Sequence, residues 1–138
     1  MIGRAGTGVD NVDVEAATKR GIVVANAPEA NSIAAAEHTL ALMLALCRNV
    51  PEAHASLAGG KWDRGSFKGS ELYGKTLGVL GFGRSGQLVA ARARAFEVRV
   101  IAYDHRGHGR SDPAPLHSCR IDQLAADLAA VLTAVDVS

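Results

Sequence analysis

The stretch Val79-Leu80-Gly81-Phe82-Gly83-Arg84-Ser85-Gly86 constrains this chain more than any other. An apolar run from Thr76 to Leu80 leads into it, and a helical pattern from Gln87 to Phe96 leads out. A second apolar run, Val98 to Tyr103, ends on Asp104, 18 positions after Gly86. Strand, Gly-x-Gly-x-x-Gly, helix, strand and acid, in that order, describe a dinucleotide-binding unit. The glycines allow a tight turn, close approach of backbone to a pyrophosphate, and close helix–strand packing. N–H groups at the helix start, those of Arg84 and Ser85 among them, face the phosphates. Asp104 is placed to accept from the adenosine ribose hydroxyls. The plain alternative is an ordinary strand–helix turn.

The flanking residues extend this unit into an α/β pattern. Residues 1–9 read as a strand end and a glycine-rich loop. Asp10 or Asn11 can cap a helix running to about Arg20, with Gly21 as its stop. Ile22 to Ala25 is a short β-rich run, broken by Asn26-Ala27-Pro28. Asn31 or Ser32 caps a long, nearly all-apolar helix from Ile33 to about Val50, expected to be buried on most sides. Pro51 is a possible kink, and Gly59-Gly60 ends the pattern. Lys61 to Glu71 is a polar connector. After Asp104 a polar, basic loop runs to about Arg120, and Ile121 to about Ala134 has helical spacing. Alternating strands and helices predict a Rossmann-like parallel sheet of about four strands with flanking helices, incomplete as it stands. The abrupt strand-like beginning and the approach to a further strand at Val135–Ser138 read as an excerpt.

Composition narrows the function classes. The 138 residues make room for one domain, and 48% hydrophobic with 21% charged residues is globular in character. A formal net charge of +1 argues against nucleic-acid binding driven by bulk charge. The apolar stretch Ile33 to Cys47 carries Glu37 and His38 and is too short to span a bilayer, and no signal pattern precedes it. No membrane partner and a cytoplasmic location are therefore expected. Cys47, within the apolar helix, is read as core, and it makes no disulfide framework with Cys119. His105, His108, His117 and Cys119 are metal-capable, but their spacing fits no compact site, so no metal is expected. Glu37 and His38 are adjacent on a helix and do not face each other, which argues against an acid–base pair.

Several separate motifs resemble the phosphoglycerate dehydrogenases, a branch of the D-2-hydroxyacid dehydrogenase family. They are Gly3-Arg4-Ala5-Gly6-Thr7-Gly8-Val9-Asp10-Asn11-Val12-Asp13, Asn26-Ala27-Pro28 with Asn31 and Ala36-Glu37, Gly60-Lys61-Trp62, Gly74-Lys75-Thr76-Leu77-Gly78, and the Gly81–Gly86 turn. The resemblance covers about residues 2–104. It implies an NAD cofactor, a 2-hydroxy acid substrate, a role in serine biosynthesis, and a homodimer. It implies that residues 1–32 are a remnant of a substrate-binding domain and 33–138 an NAD-binding domain. By the same resemblance the N–H groups of Gly6, Thr7 and Gly8 face a substrate carboxylate, with Thr7 also beside the nicotinamide. Arg4 lies near the substrate's anionic groups, and Asp104 selects NAD over NADP.

The chain departs from that family in three ways. Ser85 stands where the family has an Ile-type residue. Glu97 stands where it has a C-cap glycine, at a cost of roughly 1 kcal/mol if the position is left-handed. The family's substrate-holding Arg and its Glu–His proton-transfer pair belong to later segments, so no catalytic residue is assigned and the chain is expected to be inactive alone.

The segment from about residue 99 has a second resemblance. Tyr103-Asp104-His105-Arg106-Gly107-His108-Gly109-Arg110-Ser111 is similar to the Asp-x-Arg-Gly-x-Gly-x-Ser loop of α/β-hydrolases, and Ile121 to Leu132 to their helix before the nucleophile elbow. Ser111 has no identifiable base beside it. Two alternatives stay open on this ground, a catalytically silent chimeric α/β module and a hydrolase fragment, with a junction between about Phe96 and Asp104.

Overall fold

The computed structural model describes residues 1–136. Strand β1 is Ile2–Arg4, helix α1 Val14–Lys19 and strand β2 Val24–Asn26. Helices α2, Ser32–Cys47, and α3, Val50–Ala58, follow. The glycine turn joins β3, Thr76–Leu80, to α4, Arg84–Ala93, which tightens into a 3₁₀ turn at Arg94–Phe96. Strand β4 is Arg99–Tyr103, and α5 is Ile121–Ala134.

The expected parallel α/β architecture is present, with one correction. The four strands form two sheets of two rather than one sheet. β1 pairs β2 in parallel, with Ile2 opposite Val24, and β3 pairs β4 in parallel, with Thr76 opposite Arg99 and Leu80 opposite Tyr103. After β2 the chain turns through Ala27–Asn31 directly into α2, and α2 packs on α4. No ladder therefore joins β2 to β3 among the described residues.

Local chemistry explains the element ends. Asp13 caps α1, its Oδ1 accepting from the Ala16 N–H at 2.8 Å, so the cap sits later than the expected Asp10 or Asn11. The Val12 N–H donates to the Val9 carbonyl at 2.9 Å, so Asp10 and Asn11 lie in a turn that precedes the helix. Gly21, at φ +66°, stops α1 as its sequence position suggested. Asn31 does stand at the start of α2, but its side chain makes no cap hydrogen bond. The long helix is interrupted at Asn49, φ 52°, and α2 and α3 are bent by 64° at that break, with Pro51 in the first turn of α3. Among the described residues no single helix is long and apolar enough to cross a membrane.

The core is small and built mostly from alanine. Ala36 and Leu40 of α2 meet Val89 and Ala93 of α4, with Met43, Leu77, Leu88 and Val98 against them. An Arg92–Glu37 ion pair at 4.0 Å spans the same seam. Small side chains let the two helices approach closely, the packing that a composition of 4% aromatics requires. The expectation that α2 is buried on most sides is not met. Only one stripe packs, while Ile33, Leu42 and Leu46 are 55%, 57% and 78% exposed. Cys47 is half-buried rather than core. A helix that is apolar all round presents no sequence cue to which side a neighbour covers.

Candidate nucleotide-binding site

Beyond Leu80 the β3–β4 ladder continues by one bond, from the Gly81 N–H to the Tyr103 carbonyl at 2.8 Å. Gly81 has φ +92°, which an L side chain rarely adopts. Gly83 is extended at the start of α4, and the first helical bond runs from the Gln87 N–H to the Gly83 carbonyl at 2.9 Å. The N–H groups of Arg84, Ser85 and Gly86 precede that bond and have no place in the helical ladder. No acidic residue lies in this turn of the helix. Gly86 packs the helix onto the strand so tightly that a Cβ would lie 2.2 Å from the Gly81 carbonyl oxygen.

Gly83 is different. A Cβ there would meet nothing within 4 Å, so the mouth of the turn is open in front of the free amides. An open slot, unsatisfied donors and the positive end of a helix fit an anionic diphosphate. A cavity of about 490 Å³ adjoins it, lined by Phe82, Gly83, Gln87, Asp104, His108, Gly109 and Arg110. The residues present thus suit a dinucleotide.

Asp104 ends β4 beside this cavity. Its Oδ1 accepts from the Phe82 N–H at 2.7 Å and its Oδ2 from the Arg110 N–H at 3.1 Å. The Ser111 hydroxyl donates to the Asp104 carbonyl. The Phe82 bond first, then the Arg110 bond and the nearby Arg110 and His108 charges, hold the Asp104 carboxyl below the usual carboxylate range. Both oxygens of the acid are therefore engaged within the chain.

The first glycine loop lies close by. Gly6 is buried, and its N–H donates to the Arg4 carbonyl at 2.9 Å. The Ala27 N–H donates to the Gly6 carbonyl at 3.0 Å, and the Asn26 side chain to the Thr7 carbonyl at 2.7 Å. Thr7 Oγ1 stands 2.8 Å from Asn31 Oδ1 and 3.2 Å from the Pro28 carbonyl oxygen. Arg84 Nη1 donates to the same Pro28 carbonyl at 3.3 Å. Thr7 and Arg84, assigned to opposite ends of a site, thus converge on one carbonyl. Arg4 is held by its Nε donating to Asn11 Oδ1 at 3.0 Å and folds over Gly6, where a Cβ would lie 2.0 Å from its Nη1. At Gly8 a Cβ would lie 2.6 Å from Asp10 Oδ1. Reasoning from residue types missed the Pro28 carbonyl and the Phe82 and Arg110 amides, because backbone groups carry no side-chain signature.

The tail loop is anchored independently. Arg106 grips Asp127 of α5 in a bidentate pair, Nε to Oδ2 at 2.6 Å and Nη2 to Oδ1 at 2.5 Å. That contact holds the Asp127 carboxyl low. Ser111 Oγ is committed to the Asp104 carbonyl, which gives it no nucleophile's setting. Among the described residues no group of three or more His, Cys, Asp or Glu side chains could hold a metal ion.

Comparison with known proteins places this geometry in context. The family described as D-isomer specific 2-hydroxyacid dehydrogenase, NAD binding domain, matches residues 40–137. The chain is 64% identical over 104 residues to D-3-phosphoglycerate dehydrogenase of Methanocaldococcus jannaschii, a match covering 75% of this chain and 20% of the relative. It thus spans about a fifth of the length of the curated relatives it matches. Among solved structures, a Thermus thermophilus protein superimposes with a TM-score of 0.69 and 42% identity, over 80% of this chain and 36% of that one. D-lactate dehydrogenase from Aquifex aeolicus, complexed with NAD and lactic acid, does so with a TM-score of 0.69 and 29% identity, over 91% and 34%. The family match runs through residues 99–137, so the hydrolase and chimera readings gain no support.

Proposed function

We propose, from the fact that this chain belongs to the D-isomer specific 2-hydroxyacid dehydrogenase family, that it is the cofactor-holding part of an oxidoreductase acting on 3-phosphoglycerate or a related 2-hydroxy acid. The observation that carries the reading is the open mouth at Gly83 in front of the free amides of Arg84, Ser85 and Gly86. NAD, when bound, supplies the hydride acceptor. The chain's own residues position it. Gly81 and Gly86 fix the turn, Gly83 leaves room for the diphosphate, and the Arg84 and Ser85 amides meet its oxygens. Asp104 recognises the ribose and repels a 2′-phosphate.

The glycine loop supplies the other end. Thr7 and Gly8 offer N–H groups to a substrate carboxylate, Arg4 attracts its charge, and Thr7 neighbours the nicotinamide, while the Gly6 N–H, expected to share that role, is spent on the Arg4 carbonyl and shapes the turn. The shared Pro28 carbonyl supports this, because it brings the two loops side by side. Residues 1–32 then belong to a substrate-binding domain and 33–138 to the NAD-binding domain, as a homodimer in the cytoplasm. Proton transfer and substrate clamping are assigned to no residue of this stretch.

Calorimetric titration with NADH tests the reading. Saturable binding is expected, weakened at least tenfold by Gly83→Val, whose side chain enters open space and leaves the fold intact. Equal affinity in that variant, or no saturable binding at millimolar NADH, sinks it.

A further inference from the structure

The acid that ends β4 is not free to receive a ribose. Its two oxygens accept from the Phe82 and Arg110 amides at 2.7 and 3.1 Å. The backbone of Gly109 lies directly on the carboxylate, since a Cβ there would stand 2.2 Å from Oδ2 and 2.4 Å from Cγ. Gly109 reaches this position only through a left-handed φ of +54°. The Ser111 hydroxyl, donating to the Asp104 carbonyl, closes the loop onto the end of the strand. The Gly107 N–H to the Asp112 carbonyl, 2.9 Å, ties the loop to itself, and the Arg106–Asp127 pair ties its base to α5. The loop thus forms one wall of the cavity beside Gly83, through His108, Gly109 and Arg110.

We infer that the segment His105–Asp112 is a strap closed over the ribose-facing side of Asp104, which a dinucleotide must displace before its adenosine ribose can bind. The inference rests on the cofactor reading above. A ribose diol needs the carboxylate lone pairs that face outward, and Gly109 and the Arg110 amide stand on that side. The strap walls the cavity but stays clear of the diphosphate mouth itself, since a Cβ at Gly83 would meet nothing within 4 Å. A ligand that uses only the mouth therefore binds without moving it. Binding a full dinucleotide bears the cost of opening, which lowers its apparent affinity by the fraction of chains with the strap open.

Two substitutions loosen the strap at separate points. Ser111→Ala removes its hydroxyl latch. Gly109→Ala places a methyl against the carboxylate and strains a left-handed position. Each is titrated in the full chain with NADH and, separately, with inorganic pyrophosphate, and the Arg110 amide is followed by hydrogen exchange. The expected result is NADH binding at least fivefold tighter in both variants, pyrophosphate binding unchanged within twofold, and faster exchange at Arg110 without ligand. NADH affinity that is unchanged or weaker in both variants, while wild type binds, overturns the strap and leaves the cofactor reading standing. Equal tightening for NADH and pyrophosphate also overturns it, because the change then lies at the diphosphate mouth that both ligands share. Absence of NADH binding in wild type and both variants overturns the strap and the cofactor reading together.

Discussion

Gly86 stands against Gly81 so closely that a Cβ on the first would lie 2.2 Å from the carbonyl oxygen of the second. The contact fixes how near α4 approaches β3. Gly86→Ala must push the helix away or bend the turn. Overpacking of this kind costs about 1–3 kcal/mol. The urea midpoint is expected to fall accordingly, with NADH binding lost as the amides leave their alignment. A midpoint equal to wild type would remove the packing role given to this glycine.

Glu97 occupies a left-handed position, φ 57°, between the 3₁₀ turn and β4. A side chain there is disfavoured relative to glycine by roughly 1 kcal/mol. Glu97→Gly is expected to raise stability by about 0.5–1 kcal/mol, read as a higher urea midpoint at unchanged m-value. A lower midpoint counts against strain at this position.

The Asp127 carboxyl is held below its ordinary value of 3.8, first by the Arg106 hydrogen bonds. A depressed native value means that the folded state binds fewer protons than the unfolded chain. The pair's stabilisation is therefore complete above that ordinary value and lost as pH falls through the lower native one. Unfolding followed by circular dichroism between neutral pH and pH about 2 is expected to show this acid-side loss, reduced in Asp127→Asn. Identical acid profiles for the two chains would deny the pair a role.

Leu42 and Leu46, four positions apart on one face of α2, are 57% and 78% exposed. Contiguous apolar surface of this kind favours association. Under the homodimer proposal, Leu46→Glu shifts the mass measured by light scattering toward the monomer. A monomeric wild-type chain at every concentration tested would end the proposal.

Element positions were largely legible in the sequence, and partnerships were not. The run Thr76 to Leu80 is the observed strand, and Ile121 to Ala134 is the observed helix, because a short apolar run before a glycine turn and helical spacing are local signals. Position 97, where the resembled family has a C-cap glycine, is left-handed at φ 57°, so the condition attached to its cost is met. The break of the long helix fell at Asn49 rather than at the suspected Pro51, because proline is tolerated in a first turn. The burial of α2 was misjudged because its apolar residues surround the whole helix, leaving the choice of face to α4.

The sequence by itself determined the chemistry of the turn. Three glycines and an acid at fixed spacing admit few other structures, because Gly81 takes a positive φ and Gly86 packs against the Gly81 carbonyl, while Gly83 leaves the mouth open. Tertiary structure decided what that chemistry meets. It paired four strands as two sheets, brought Thr7 and Arg84 to one carbonyl, and folded Gly109 and Arg110 onto Asp104. Each of these contacts has a backbone group at one end at least, and every residue has the same backbone, so only folding could choose among them.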